Sequence, residues 1–300
     1  MDDFVLSPVL GNTSQFHMSA VTVPVYYLSP REVILLDSGY MNLGAGLLEM
    51  LRANRLTVRA VIGSHNHLDH CGNHALLKKE FGAEILMPEG EESPSPLAER
   101  EPLVPGDVSR WMEPPKDAFT ADRLLLAEEG TVSVGGAEFT CIPLPGHTDS
   151  HTAIVTPDGV CYLGDALLSR TIAMRAKIPS TYDWAADLRS KEKILSFRYP
   201  AYVLAHDEVL TAIQAHAAWE IEDRYRRLDA FRDFLKRGLP ASFEELETLM
   251  KEELSFSDGP HARTTLFRFN LRCSLHYFAE SGAVRIRRKN GMECYENISL

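Results

Sequence analysis

His65-Asn66-His67-Leu68-Asp69-His70 begins one residue, Ser64, after the apolar run 58–63. Three imidazoles and a carboxylate fall within six residues. These donors suit Zn²⁺, Fe or Mn, and four of them this close can serve two ions rather than one. Taken alone, the stretch leaves room for a blander, minor reading, histidines sharing an exposed loop. It does not stand alone. Pro145-Gly146-His147-Thr148, Leu163-Gly164-Asp165-Ala166 and Leu204-Ala205-His206-Asp207 each add one ligand-type side chain just past a short strand-like run, at 139–144, 160–163 and 201–204. Open sheets gather functional groups beyond their strand ends, where loops stay accessible yet are held by a rigid scaffold. Four strands ending in His or Asp therefore point to one site assembled from distant segments.

The ordered set H-x-H-x-D-H, a lone His in Gly-His-Thr, an Asp and a last His resembles the metallo-β-lactamase-fold (glyoxalase II-like) hydrolase superfamily over about residues 21–207. That resemblance implies an α/β fold, an αββα sandwich of the metallo-β-lactamase type, with two sheets face to face and helices outside. It also implies two divalent metal ions, zinc first, with iron or manganese as the other options. One ion would take His65, His67 and His147, the other Asp69, His70 and His206, and Asp165 would bridge them. None of the seven positions departs from the pattern. The motif set says little about substrate, because the superfamily spans lactams, thioesters, lactones, sulfate esters and nucleic acids.

Two ions ~3.5–4 Å apart can hold a hydroxide between them, since coordination lowers the pKa of water from about 15.7 to ~7. Such a hydroxide attacks a carbonyl, phosphorus or sulfur centre without any Ser or Cys nucleophile. Asp69 is assigned a second, catalytic role, in which it accepts the proton of the nucleophilic water and passes it toward the leaving group. Metal-bound imidazoles usually donate their other N–H to a carboxylate or carbonyl. Asp37, at the end of the run 32–36, and His151, four residues past His147, are expected to fill such supporting roles. His74 reads equally as a helix residue facing solvent. His17, His216, His261 and His276 have no motif around them and read as structural.

With 45% hydrophobic and 24% charged residues, the 300-residue chain has material for a sizeable core, in one large domain or one with an appendage. The start Met1-Asp2-Asp3 lacks a basic leader region, and no apolar run reaches membrane-span length, so a soluble, cytoplasmic protein with no membrane partner is expected. Five scattered cysteines do not suggest a disulfide framework, and Cys71 reads as a small packing residue.

Residues 21–28 and 32–37 read as paired strands around Ser29-Pro30-Arg31, 42–54 and 75–81 as helices, and 84–87 as a strand. Residues 88–129 form a Pro-rich acidic insertion: seven of the seventeen prolines lie from Pro88 to Pro115, and 89–129 carries a local charge of −7. A loop of this length is a lid or a surface excursion, and Trp111, Met112 and Phe119 offer apolar area for covering a substrate.

Residues 1–210 thus read as a catalytic domain and 211–300 as a small C-terminal helical module. A long helix is predicted over 208–236. A second opens at the capping-box pattern Ser242-Phe243-Glu244-Glu245, and a third spans 262–279. Strands at 284–287 and 292–295 turn around Asn290-Gly291. Helix, helix, helix, hairpin is the order of a winged-helix-like module. Residues 260–300 carry +4 against −11 for the whole chain, and Arg285, Arg287 and Arg288 are candidate contacts to substrate or nucleic acid.

The leading reading is a dinuclear metal-dependent hydrolase of a small ester, thioester or lactone. The alternative is a phosphodiesterase or ribonuclease acting on single-stranded nucleic acid. A third is a diiron redox protein, which this chain disfavours by lacking a flavodoxin domain and keeping its ligand set intact. As partners, a small-molecule substrate comes first and nucleic acid second, and a homodimer is left open.

Overall fold

A computed structural model describes residues 4–18, 21–92, 119–206, 208–257, 261–289 and 291–300. Seven strands make a first sheet in sequence order: β1 (Phe4–Leu10), β2 (Thr13–Met18), β3 (Val21–Ser29), β4 (Glu32–Leu36), β5 (Thr57–Ile62), β6 (Glu84–Pro88) and β7 (Arg123–Leu125). β1 to β4 pair antiparallel and β4 to β7 parallel. Six strands make a second sheet: β8 (Gly130–Val134), β9 (Ala137–Pro143), β10 (Thr152–Val155), β11 (Val160–Tyr162), β12 (Ala201–Leu204) and β13 (Glu208–Leu210). β11 and β12 are parallel.

Strand pleating sends alternate side chains to opposite faces, and that alternation builds the layers. In β4, Ile34 and Leu36 face the second sheet, meeting Phe139, Ile154, Tyr162 and Val203. Val33 and Leu35 face outward onto helices α1 (Gly44–Ala53) and α3 (His74–Phe81), through Leu47, Leu51 and Leu77. The short helix α2 (Leu68–Cys71) precedes α3. On the far side, Cys161, Leu163, Tyr202 and Leu204 pack on Ile194 and Ala217. Those two belong to α5 (Trp184–Ile194) and α6 (Gln214–Gly238); α4 (Arg170–Arg175) precedes them. The result is helix, sheet, sheet, helix.

The C-terminal elements after α6 are β14 (Ala241–Ser242), α7 (Phe243–Glu253), α8 (His261–Glu280), β15 (Val284–Lys289) and β16 (Met292–Asn297). Their sheet runs β14-β16-β15. Ser242 and Glu245 form the reciprocal capping box. The core of this region, around Phe231, Phe243, Leu271 and Phe278, also takes in Trp184 and Leu188 of α5.

Three expectations change. Residues 208–210 are not the first turn of the long helix: they form β13, with Val203↔Val209 and Tyr202↔Leu210 in register. The free edge of β12 presents backbone groups that need partners, and the reversed chain supplies them. Phe119 is buried in the outer helix-and-sheet core, its ring 4.7 Å from that of His74, so it is not free to cover a substrate. His74 is itself buried rather than solvent-facing, its Nδ1 2.7 Å from Ser38 Oγ. Trp111 and Met112, and with them the lid reading, lie outside the described residues, as does Asn290 of the hairpin turn. Among the described residues no helix is long and apolar enough to cross a membrane.

Candidate metal centre

Asp37 follows β4, His65 and His67 follow β5, and Asp69 and His70 sit on α2 directly behind them. His147, Asp165 and His206 follow β9, β11 and β12. β10 runs antiparallel to both β9 and β11, so β9, β11 and β12 point the same way and their loops meet at one edge. Two glycines allow the approach. A Cβ on Gly146 (φ +133°) would lie 2.2 Å from the Asp187 amide nitrogen, and one on Gly164 (φ +49°) 2.6 Å from His151 Nε2.

All seven predicted donors converge. His65, His67 and His147 offer nitrogens within 4.8 Å of one another, and Asp69, His70, Asp165 and His206 form a second such group. The Asp165 carboxylate lies between the groups. Its Oδ2 is 3.3 Å from His147 Nε2, while Oδ1 is 3.4 Å from His70 Nε2 and 3.3 Å from His206 Nε2. Asp69 Oδ2 is 3.6 Å from His70 Nε2 and 3.7 Å from His206 Nε2.

The surrounding hydrogen bonds decide which ring nitrogens face inward. Asp37 Oδ2 accepts from His70 Nδ1 at 2.8 Å, from Tyr162 Oη at 2.6 Å and from Ser64 Oγ at 2.7 Å, and its Oδ1 accepts from the Ser64 amide at 2.6 Å. Ser64 Oγ, having donated to Asp37, accepts from His65 Nδ1 at 2.9 Å. His147 Nδ1 donates to the Ser180 carbonyl at 2.8 Å. His65, His70 and His147 therefore each turn Nε2 toward the centre. Among the described residues, buried His65 Nε2, His70 Nε2 and Asp165 Oδ1 have no hydrogen-bond partner. His147 Nε2 and His67 Nδ1 face each other at 2.9 Å. Buried acceptors left unsatisfied and aimed at one point are costly unless a cation joins them, so the donor set fits a pair of metal ions.

Electrostatics agree. Burial, with repulsion among the imidazoles, holds His65 well below the usual histidine pKa. Burial likewise takes His147 down to about 3, the nearby Asp165 only partly offsetting it. Both rings are therefore neutral near pH 7, the form in which an imidazole can ligate a metal. Burial alone would lower His70, but the carboxylates of Asp165, Asp69 and Asp37 outweigh it and raise its pKa well above the ordinary value, so without an ion His70 keeps an Nε2 proton that a bound cation would displace. Burial would raise Asp37, yet the His70 hydrogen bond and charge, with Tyr162 and Ser64, keep it ionised below the usual carboxylate range. Asp165 is lowered in the same way, burial being outweighed by His70, His206 and His147.

His151 holds a backbone group instead of a ligand imidazole: its Nε2 accepts the Asp165 amide at 3.0 Å. Arg285, Arg287 and Arg288 lie exposed on β15, in the C-terminal sheet rather than in the strand-end loops, and Arg287 pairs with Glu296 at 3.1 Å.

Two residues escaped the sequence reading. Glu91, fully buried, accepts the Asn66 amide at 2.8 Å, Thr148 Oγ1 at 2.5 Å and the Ser150 amide at 3.2 Å. It ties the His65–His70 loop to the His147 loop across the two sheets. Tyr40 borders the centre. Burial, then the charges of Asp69 and Asp165 and a hydrogen bond to Asp69, push its phenol up to about 12.

Comparison with known proteins agrees with this geometry. The hydroxyacylglutathione hydrolase of Hyphomonas neptunium is 30% identical over 199 residues, 66% of each chain. The hydroxyacylglutathione hydrolase GloC of Haemophilus influenzae is 31% identical over 122 residues, 40% of this chain, which spans about half (55%) of the relative's length. A metallo-β-lactamase family protein from Thermus thermophilus superposes with a TM-score of 0.69 over 99% of both chains at 20% identity, a likeness of fold. The family description "Metallo-beta-lactamase superfamily" matches residues 19–206, well over half the sequence, and the chain belongs to that superfamily.

Proposed function

We propose that this chain is a dinuclear metal-dependent hydrolase of a small thioester, within the wider class of activated esters and lactones. The observation that carries the reading is the Asp165 carboxylate facing two sets of inward-pointing imidazoles, one oxygen to each. In this reading His65, His67 and His147 would hold one ion and Asp69, His70 and His206 the other, with Asp165 available to both. Two divalent ions, zinc by preference for imidazole and carboxylate, supply Lewis acidity and a water acidified to a pKa of ~7. The thioester preference draws on relatives named hydroxyacylglutathione hydrolase.

The protein's own groups do the rest. Asp37 keeps His70 in its Nε2-donor tautomer, the Ser180 carbonyl does the same for His147, and Glu91 fixes the distance between the two ligand loops. Asp69 is 21% exposed, against 8% for Asp165, so its carboxylate can take a proton from the attacking water and return it to the departing thiolate. We place the protein in the cytoplasm, since all five cysteines are free thiols. We read the order β14-β16-β15 with α6 to α8 as a winged-helix-like module built on residues 211–300, with 1–210 as the catalytic domain.

The test is a panel of thioester, lactone, phosphodiester and sulfate-ester substrates offered to metal-stripped and metal-restored protein. Thioester cleavage that disappears with the metal and returns with zinc is expected. Metal-dependent cleavage of the phosphodiester alone would transfer the site to nucleic-acid chemistry.

A further inference from the structure

A cavity of about 290 Å³ lies between the loop preceding α5 and the helices α6, α7 and α8. Its apolar wall includes Ile178, Trp184, Phe231, Phe234 and Met250. Three charged side chains also line it, Lys177, Arg227 and Glu253. Two of them are already engaged. Arg227 donates to Asp223 at 2.6 Å and to the carbonyls of Ala173 and Ala176 at 2.8 and 2.9 Å, while Glu253 pairs with Arg237 at 2.8 Å. Lys177 is exposed and has no carboxylate within 4.0 Å among the described residues. The cavity therefore combines an apolar interior with one uncompensated positive charge at its mouth.

That combination has a chemical complement. We propose that this cavity binds an amphiphilic monocarboxylate, with its apolar body against Trp184, Phe231 and Phe234 and its carboxylate at Lys177. Size follows from the volume: an apolar cavity of about 150 Å³ takes benzene, so one near twice that takes a body of roughly ten carbons. Burying such a body in a preformed apolar site is the main source of affinity, and the ammonium selects the head group. The cavity includes none of the metal-centre donors, but it adjoins one of their supports along the chain. Ile178 and Pro179 line the cavity, and the next residue, Ser180, supplies the carbonyl that receives the His147 N–H. The proposal does not rest on thioester hydrolysis: a chain that cleaves no thioester can still bind the carboxylate.

Calorimetric titration of the metal-loaded chain with decanoate, below its micelle concentration, tests it. Saturable one-to-one binding is expected. Decanol, lacking the charge, and the Lys177→Ala variant with decanoate should each bind about threefold to fivefold more weakly. Ala230 lines the cavity from the exposed side of α6, so Ala230→Trp fills it without disturbing the core and should abolish binding. Absence of saturable binding, or decanoate binding unchanged in Ala230→Trp, overturns the proposal. Equal affinity for decanoate and decanol overturns the role of Lys177.

Discussion

Replacing Asp37 by Asn tests the centre without touching a donor. Asp37 accepts four hydrogen bonds, three at Oδ2 and one at Oδ1. An Asn has a single acceptor oxygen. Its best placement keeps that oxygen at the Oδ2 position and turns the amide NH₂ toward the Ser64 N–H, so two donors face each other in a fully buried site. One such mismatch costs about 1–3 kcal/mol, a fall in Tm of order 5 °C. The lost negative charge also makes His70 a poorer ligand, and loss of such supporting partners lowers metal affinity about 10–100-fold. Asp37 adopts a positive φ of 67°, which Asn tolerates, so backbone strain does not confuse the comparison. Asp37→Ala should be worse on both counts, leaving all four donors unanswered and placing Ala in the left-handed region. Metal affinity would be read by competition with a chromophoric chelator. Melting would be followed with and without metal, the metal-induced rise shrinking in the variant as binding weakens. An Asp37→Asn protein that holds both ions as tightly as the parent refutes the reasoning.

Other consequences concern different parts of the molecule. Asp69→Ala should lose most turnover, by about 10²–10⁴-fold if the carboxylate moves the proton, while metal analysis still finds an occupied site; full turnover in that variant removes the proton role. Glu91→Ala should speed hydrogen exchange at the amides of Asn66 and Ser150, which it now binds, and leave α7 unaffected. Asp187 is held below the ordinary carboxylate pKa: burial would raise it, but Lys191 and Arg224 outweigh burial. A lowered native pKa means the stabilisation is complete above about pH 5 and is lost as pH falls toward the native value. Denaturant unfolding should show that acid limb, and Asp187→Asn should flatten it. For the exposed arginines of β15, low-salt titration with a single-stranded oligonucleotide should show no binding that Arg287→Ala with Arg288→Ala removes. Salt-sensitive binding lost in that double variant would instead support nucleic acid as substrate.

How much of this was visible in the sequence depends on the range of the interaction. The seven donors stood out because each ends a short apolar strand, a local signature, and the capping box at Ser242 is local too. Glu91 left no such mark. It is one of eleven acidic residues in a Pro-rich stretch, and only the fold brings it against the Asn66 and Ser150 amides from sheets on opposite sides. Lys191 falls on the helix α5, where a lysine reads as solvent-facing, yet it is fully buried. β13 is three residues long, too short for alternation to separate it from the start of the helix that follows. In the β1–β2 hairpin Pro8 interrupts an apolar first strand and the second strand is largely polar, so the sequence does not announce this pair either.

Lys191 also shows why α6 cannot be treated as mere attachment. Its ammonium donates to the Ala166 carbonyl at 2.9 Å and to Asp187 at 2.6 Å, and lies 3.4 Å from Glu220 of α6. Glu220 Oε1 accepts the Leu168 amide at 2.5 Å, His216 Nε2 meets the Leu168 carbonyl at 2.6 Å, and Arg224 joins Asp187 at 2.9 Å. The loop that carries Asp165 is thus fixed by buried charges from α5 and α6. Removing one member leaves another charge buried and unpaired, at a cost of about 3–5 kcal/mol. The segment matched to the superfamily ends at residue 206, before Glu220 and Arg224. The residue placed between the two donor groups is therefore held by side chains beyond that boundary, and the geometry of the centre is a property of the whole chain.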